Sequence, residues 1–98
     1  MNHQPTPETL AAKVLVRGIH LELTEALRQA ATEKASRLLR HNSHIVRIRI
    51  DLELDRSKAV GEQFIAKGHI EIGGPDLIAS ATTEDGYKSL DQLIDKLD

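Results

Sequence analysis

Six basic side chains lie on two stretches of the chain that have the spacing of amphipathic helices. They are Arg28, Lys34, Arg37, Arg40, Lys88 and Lys96. Lysine and arginine on a helix surface can donate hydrogen bonds to phosphate oxygens, which holds a protein to a nucleic-acid backbone without reading base sequence. If the two helices lie side by side, the six side chains could contact phosphates. Solvated helix faces carry the same residue types, so this pattern alone leaves the function open.

The distribution of charge favours the first helix as the basic element. The formal net charge is −2, but residues 1–40 hold six Lys and Arg against four Glu, whereas residues 41–98 hold seven against eleven Asp and Glu. Only Phe64 and Tyr87 are aromatic, and both fall on stripes predicted to be buried. Base stacking is therefore poorly supported, and any recognition of nucleic acid should be through its backbone.

Catalytic and metal-binding patterns are weak, so we predict a protein that is not an enzyme and has no cofactor or small-molecule substrate. The chain has no cysteine, and its serines lie in no nucleophile motif. His41 and His44 share a loop, but a metal site would need a third ligand. Gly73 and Gly74 lie between two strands without the Lys-Ser/Thr of a phosphate loop.

The basic residues must be positioned by two helices with apolar stripes. Residues 13–19 alternate as a short strand, and Thr24 can then cap a helix that should end near Arg40. The second helix should be capped by Thr83 or Thr82. Its predicted stripe is Tyr87, Leu90, Leu93, Ile94 and Leu97, and the stripe of the first helix is Leu27, Ala31, Ala35 and Leu38.

Three alternating runs between the helices predict three more strands. In the first, residues 45–54, Arg47 and Arg49 should face outward while Val46, Ile48, Ile50, Leu52 and Leu54 face the core. The second is residues 64–72, with Phe64, Ala66, Gly68, Ile70 and Ile72 inward. A Gly-Gly-Pro-Asp turn separates it from a last strand with inward Leu77, Ala79 and Ala81.

These elements predict an α+β fold: a βαβββα two-layer sandwich with a four-stranded sheet and both helices on one face. Residues 13–98 should form a single domain, and residues 1–12, which contain two prolines, a flexible extension. The lack of cysteine and of a long apolar run predicts a cytoplasmic protein with no membrane partner.

The segments VRGIHLELTEALR and DLIASATTEDGYKSLDQLIDKL, with the strands between them, resemble the ribosome hibernation promoting factor family. This family is also described as ribosome-associated inhibitors or ribosomal subunit interface proteins, and the resemblance covers residues 13–97. It implies a βαβββα fold similar to a double-stranded-RNA-binding domain. It also implies binding to the small ribosomal subunit near the decoding centre, where members block messenger and transfer RNA sites in stressed or stationary cells.

By resemblance, Arg28, Lys34 and Arg37 match basic positions of the family's first helix, and Lys96 lies in the matching IDKL segment. Lys88 and Arg40 join the candidate rRNA-binding set by proximity. Tyr87, outside this list, matches a family aromatic that could be a core anchor or an RNA contact. The implied partners are the RNA and proteins of the small subunit, together with another hibernation factor if the protein pairs ribosomes.

A second hypothesis is a non-enzymatic protein-interaction module whose surface charge is incidental. Such a module could associate with itself through the outer edge of its sheet or through its last helix. Steep weakening of ribosome association by salt would favour the ribosome-binding hypothesis, because phosphate contacts release counterions.

Overall fold

Six elements of regular structure follow one another along residues 12–98, the part of the chain that the computed structural model describes. They are β1 (Val14–Ile19), α1 (Glu25–His41), β2 (Arg47–Leu54), β3 (Phe64–Glu71), β4 (Leu77–Thr83) and α2 (Gly86–Leu97). This order confirms the βαβββα α+β fold. The predicted flexible extension falls almost entirely on residues 1–11, which lie outside the described residues.

The four strands form one sheet in the order β1-β2-β3-β4. β1 is parallel to β2, with Val16 opposite Ile50, and the other two pairings are antiparallel. A parallel pair needs a crossover connection, and α1 supplies it. β1 and β4, the first and last strands in this order, form the two edges of the sheet.

The core lies between the sheet and the two helices, which cover the same face. Ile48, Ile50 and Ile70 on the sheet are almost completely buried, as are Leu90 and Leu93 on α2. Six side chains predicted to face the core are buried, and a seventh, Leu97, is partly buried. The six are Leu27, Leu38, Ile48, Ile50, Ile70 and Ile94. Burying each such side chain contributes about 1.5–3 kcal/mol, so the helix-on-sheet packing carries most of the stability.

The first helix begins and ends close to its predicted limits. Thr24 has extended backbone angles, and its Oγ1 accepts a hydrogen bond from Leu27 N at 3.1 Å, which confirms the cap. The helix continues through His41, one residue beyond Arg40, and Asn42 N donates to Leu38 O to close the last turn.

The second helix begins later than predicted, because the residue that caps it is Asp85. Thr83 is instead buried, and its Oγ1 accepts a hydrogen bond from Asp85 N. With the helix starting at Gly86, that glycine takes the buried position at the top of the stripe. Tyr87, one position further round the helix, lies beside this stripe and is 44% exposed, so its predicted place on the buried stripe was wrong.

Two further predictions of burial were wrong. Val46 is 56% exposed, and Ile45 is buried instead, because strand pairing begins only at Arg47 and the alternation of side chains does not extend into the preceding turn. Leu77, at the start of the edge strand β4, is 47% exposed. The helices cover it incompletely, since a cavity of about 210 Å³ lies beside Leu77 and Leu97.

Two glycines allow close approach of other groups to the sheet. A Cβ at Gly68 would lie 2.7 Å from Leu97 Cδ1, so the absence of a side chain lets α2 approach β3. A Cβ at Gly18 would lie 2.3 Å from the carbonyl oxygen of Leu21, where the chain turns from β1 towards α1. Within residues 12–98, neither helix is both long and apolar enough to cross a bilayer.

Candidate nucleic-acid interface

The outer surface of α1 presents the strongest group of candidate phosphate ligands. Lys34, Arg37 and Arg40 follow one another at three-residue spacing, which places neighbouring side chains one turn apart. Arg37 and Arg40 are exposed, and neither forms an ion pair with any of residues 12–98. Their guanidinium groups can therefore donate to an external phosphate without first leaving a carboxylate.

Two candidate lysines already have carboxylate partners. Lys34 Nζ lies 2.5 Å from Asp91 Oδ1, an ion pair that joins α1 to α2. Lys88 Nζ donates to Glu84 Oε1 at 2.5 Å, four residues earlier. This hydrogen bond raises the pKa of Lys88 above its ordinary value and lowers the pKa of Glu84 below its own. A phosphate that binds either lysine must share it with a carboxylate.

The remaining two candidates lie at opposite edges of the sheet. Arg28 Nη1 is 3.4 Å from the carbonyl oxygen of Val16, on β1. Lys96 Nζ donates to the carbonyl oxygen of Ser80, on β4, at 2.5 Å. Because β1 and β4 are the two edge strands, the structure does not gather the six residues into one patch. Instead it spreads them across the helical side, with Lys34, Arg37 and Arg40 in the centre.

The face of the sheet opposite the helices, here called the open sheet face, also carries basic residues, but most have acidic neighbours. Arg17 makes two hydrogen bonds to Asp51, at 2.9 and 3.0 Å, which lower the pKa of that carboxyl below its ordinary value. Lys67 lies 3.7 Å from Glu53. Arg49 lies 3.7 Å from Glu71. The cations on this face are thus largely neutralised by nearby carboxylates, whereas Arg47 has no ion pair within residues 12–98.

Three features of this surface were missed from the sequence. One is the interhelical pair of Lys34 and Asp91, whose residues lie far apart in the chain and which no local spacing indicates. Another is the exposure of Tyr87. The third is a contact of His69 with both Asp76, at 2.6 Å, and Arg49, at 3.0 Å, on the open sheet face. The sequence placed Arg49 and His69 on outward positions of two strands, but only the register of β2 and β3 brings them opposite each other.

The described residues offer little for catalysis through a metal. Among residues 12–98, no group of three or more His, Asp or Glu side chains is close enough to hold a metal ion, and His41, predicted to share a loop with His44, is the last residue of α1. His41 instead lies 3.6 Å from Asp98, beside the end of α2. The arrangement is one of dispersed cations, which suits contact with an extended polyanion.

Comparison with known proteins gives consistent matches over nearly the whole chain. The family model described as Sigma 54 modulation protein / S30EA ribosomal protein matches residues 14–98. The ribosome hibernation promoting factor of Azotobacter vinelandii is 34% identical over 86 residues, covering 88% of this chain and 76% of the relative. That of Acinetobacter guillouiae is 31% identical over 90 residues, covering 87% and 80%.

Two solved structures have the same fold. A ribosomal subunit interface protein from Coxiella burnetii superposes with a TM-score of 0.70 at 23% identity, covering 86% of this chain and 87% of the other. The N-terminal domain of Thermus thermophilus Protein Y gives a TM-score of 0.70 at 24% identity, covering 84% and 85%.

Proposed function

We infer the function from the premise that this chain belongs to the Sigma 54 modulation protein / S30EA ribosomal protein family. Family membership supports a role in ribosome-associated regulation of translation. We propose that the protein binds the small ribosomal subunit near the decoding centre. There it occupies the sites of messenger and transfer RNA in the cytoplasm of stressed or stationary cells, with no chemical step.

The contrast between the two faces of the molecule is the observation that carries this proposal. On the helical side, Arg28, Arg37, Arg40 and Lys96 have no carboxylate partner within residues 12–98. On the open sheet face, Arg17, Arg49 and Lys67 each have a carboxylate partner. Phosphates attract cations that are not already neutralised, so the helices should face ribosomal RNA and the sheet should face away.

The number of free cations sets the expected dependence on salt. A phosphate contact lowers the logarithm of the affinity by about 0.7–0.9 for each tenfold increase in salt. Four contacts, the number of unpaired candidates above, then predict a loss of about 50- to 150-fold between 50 and 200 mM salt. If the protein takes part in pairing ribosomes, we propose that it does so together with another hibernation factor.

One observation favours the protein-interaction alternative. Ile78, on the outer edge strand β4, is 73% exposed next to the half-exposed Leu77, and exposed apolar edges can pair with another chain. However, Lys96 Nζ donates a hydrogen bond to the carbonyl oxygen of Ser80 on that same edge. A charged group at a sheet edge commonly prevents such pairing, and Lys96 brings its ammonium group there from α2, so we favour ribosome binding as the main function.

Charge reversal on each face tests the proposal. The double variant Arg28→Glu and Arg37→Glu should abolish co-sedimentation with purified small subunits. The matched control, Arg47→Glu and Arg49→Glu on the open sheet face, should reduce it much less. Both variants should keep their far-UV circular dichroism, because exposed substitutions away from caps and core usually change stability by only about 0.5 kcal/mol.

The opposite ranking would move the binding surface to the sheet. Binding that does not change with salt, or no binding of the wild-type chain, would favour the interaction module instead.

A further inference from the structure

The two helices are connected along their groove by an ion pair and a histidine–carboxylate contact in the same register. Lys34 on α1 contacts Asp91 on α2, and seven residues later on each helix His41 lies 3.6 Å from Asp98. Seven residues are two helical turns, so the helices run in the same direction and place acids of α2 against basic groups of α1. The groove therefore brings negative charge into the centre of the candidate phosphate-binding surface.

We propose that Asp91 sets the affinity for RNA by competing with phosphate for Lys34. This inference rests on the proposed function, because it concerns the same surface and the same ligand chemistry. Lys34 is the only one of the three central cations on α1 that has a carboxylate partner within residues 12–98, and that partner comes from the other helix. Asp91 thus acts as an internal counter-ion that a phosphate must displace or tolerate.

The size of the effect follows from Coulomb's law. The Asp91 carboxylate is 2.5 Å from Lys34 Nζ, so a phosphate oxygen on the other side of the ammonium group would be about 5 Å from that carboxylate. Two like unit charges at about 5 Å in water repel by an amount that weakens binding about fourfold. Removing the charge of Asp91 while keeping its shape should recover this factor.

Asp95 provides a matched control on the same helix. It is exposed, one turn after Asp91, and forms no ion pair with any of residues 12–98. Its substitution changes the net charge by the same amount without freeing a lysine. A general electrostatic effect would therefore be equal for the two positions, whereas local competition is specific to Asp91.

The experiment compares Asp91→Asn and Asp95→Asn, each alone and combined with Lys34→Ala, for binding to purified small subunits at a low salt concentration of about 10 mM, where charges about 5 Å apart are only slightly screened. We expect Asp91→Asn to bind about three- to fivefold more tightly than the wild-type chain, and Asp95→Asn less than twofold more tightly. In the Lys34→Ala background, the advantage of Asp91→Asn should fall to that of Asp95→Asn. Thermal unfolding of each variant checks that the fold is retained.

Several outcomes would overturn the proposal. An equal gain from both substitutions would mean that only net charge matters. Weaker binding by Asp91→Asn would mean that Asp91 positions Lys34 for RNA and does not compete with it. Persistence of the gain without Lys34 would exclude competition at that lysine. Failure of the wild-type chain to bind small subunits would overturn the proposed function and this inference with it. If the wild-type chain binds, the variants test the role of Asp91 alone.

Discussion

Replacing Ser89 with alanine should destabilise the protein by removing a buried polar link between α2 and the sheet. Ser89 is completely buried, and its Oγ donates to the carbonyl oxygen of Phe64, on β3, at 2.7 Å. The same hydroxyl shares a 2.7 Å hydrogen bond with Thr83 Oγ1, just before the helix cap. Ser89→Ala removes both bonds at once, and no water can easily replace them at a site without exposed surface.

The expected cost follows from these two bonds. Each buried hydrogen bond contributes about 0.5–1.5 kcal/mol net, so Ser89→Ala should lower the free energy of unfolding by about 1–3 kcal/mol. A loss of 2 kcal/mol would lower Tm by about 8–16 °C in a domain of this size.

Urea denaturation followed by circular dichroism measures this loss, with Ser80→Ala as a control at an exposed position. The control should change the stability by less than about 0.5 kcal/mol. Equal midpoints for the two variants and the wild-type chain would refute the role assigned to the Ser89 hydroxyl.

Three further changes test the packing, the ion pairs and the caps. Gly68→Ala should destabilise by about 1–3 kcal/mol in urea denaturation because its Cβ would meet Leu97, and adding Leu97→Ala should relieve that clash; no cost from the first change would contradict the packing. The hydrogen bond from Arg17 lowers the pKa of Asp51 below 3.8, so its contribution to stability is present above that pH and is lost as the pH falls through the folded pKa. Asp51→Asn should therefore make acid unfolding less dependent on pH below 3.8, and unchanged acid unfolding would argue against the pair. Thr24→Ala should cost about 1 kcal/mol by thermal unfolding, and a neutral result would mean that its cap contributes nothing.

The sequence predicted the architecture well because the apolar period is clear in every element. Ile48 and Ile50 alternate with basic residues on β2, and Leu27 and Leu38 repeat at helical spacing on α1, so their burial follows from the pattern alone. The cap at Thr24 could also be predicted, because a hydroxyl directly before an apolar helical stripe can accept a hydrogen bond from a free backbone amide of the first turn.

The errors concern places where tertiary structure decides between local alternatives. At the start of α2, both Thr83 and Asp85 can cap a helix. Thr83 is buried in the core, where its Oγ1 donates to Ser89 Oγ and accepts from Asp85 N. The buried stripe of α2 runs through Gly86, Leu90 and Leu93, and Tyr87 lies beside it and is exposed. The partners of Lys34 and Lys96 come from other elements, so no spacing within a helix could show which basic groups are free.

The rRNA-binding role of Arg28, Lys34, Arg37, Arg40, Lys88 and Lys96 stays a prediction. The fold places all six on or beside the helical layer, but it distributes them: Arg28 and Lys96 reach the two sheet edges, Lys34, Arg37 and Arg40 lie on the C-terminal half of α1, and Lys88 lies near the start of α2. Because Arg37 and Arg40 have no ion pair within residues 12–98, we expect them to contribute more to binding than Lys34 or Lys88.

A cryo-electron microscopy map of the chain bound to purified small ribosomal subunits would test the central claim most directly. We expect density near the decoding centre, with α1 and α2 facing ribosomal RNA and the guanidinium groups of Arg37 and Arg40 about 3 Å from phosphate oxygens. The open sheet face, with its pair of Arg17 and Asp51, should point away from the RNA. Density in which that sheet face contacts the RNA, or no density on the small subunit, would contradict the account.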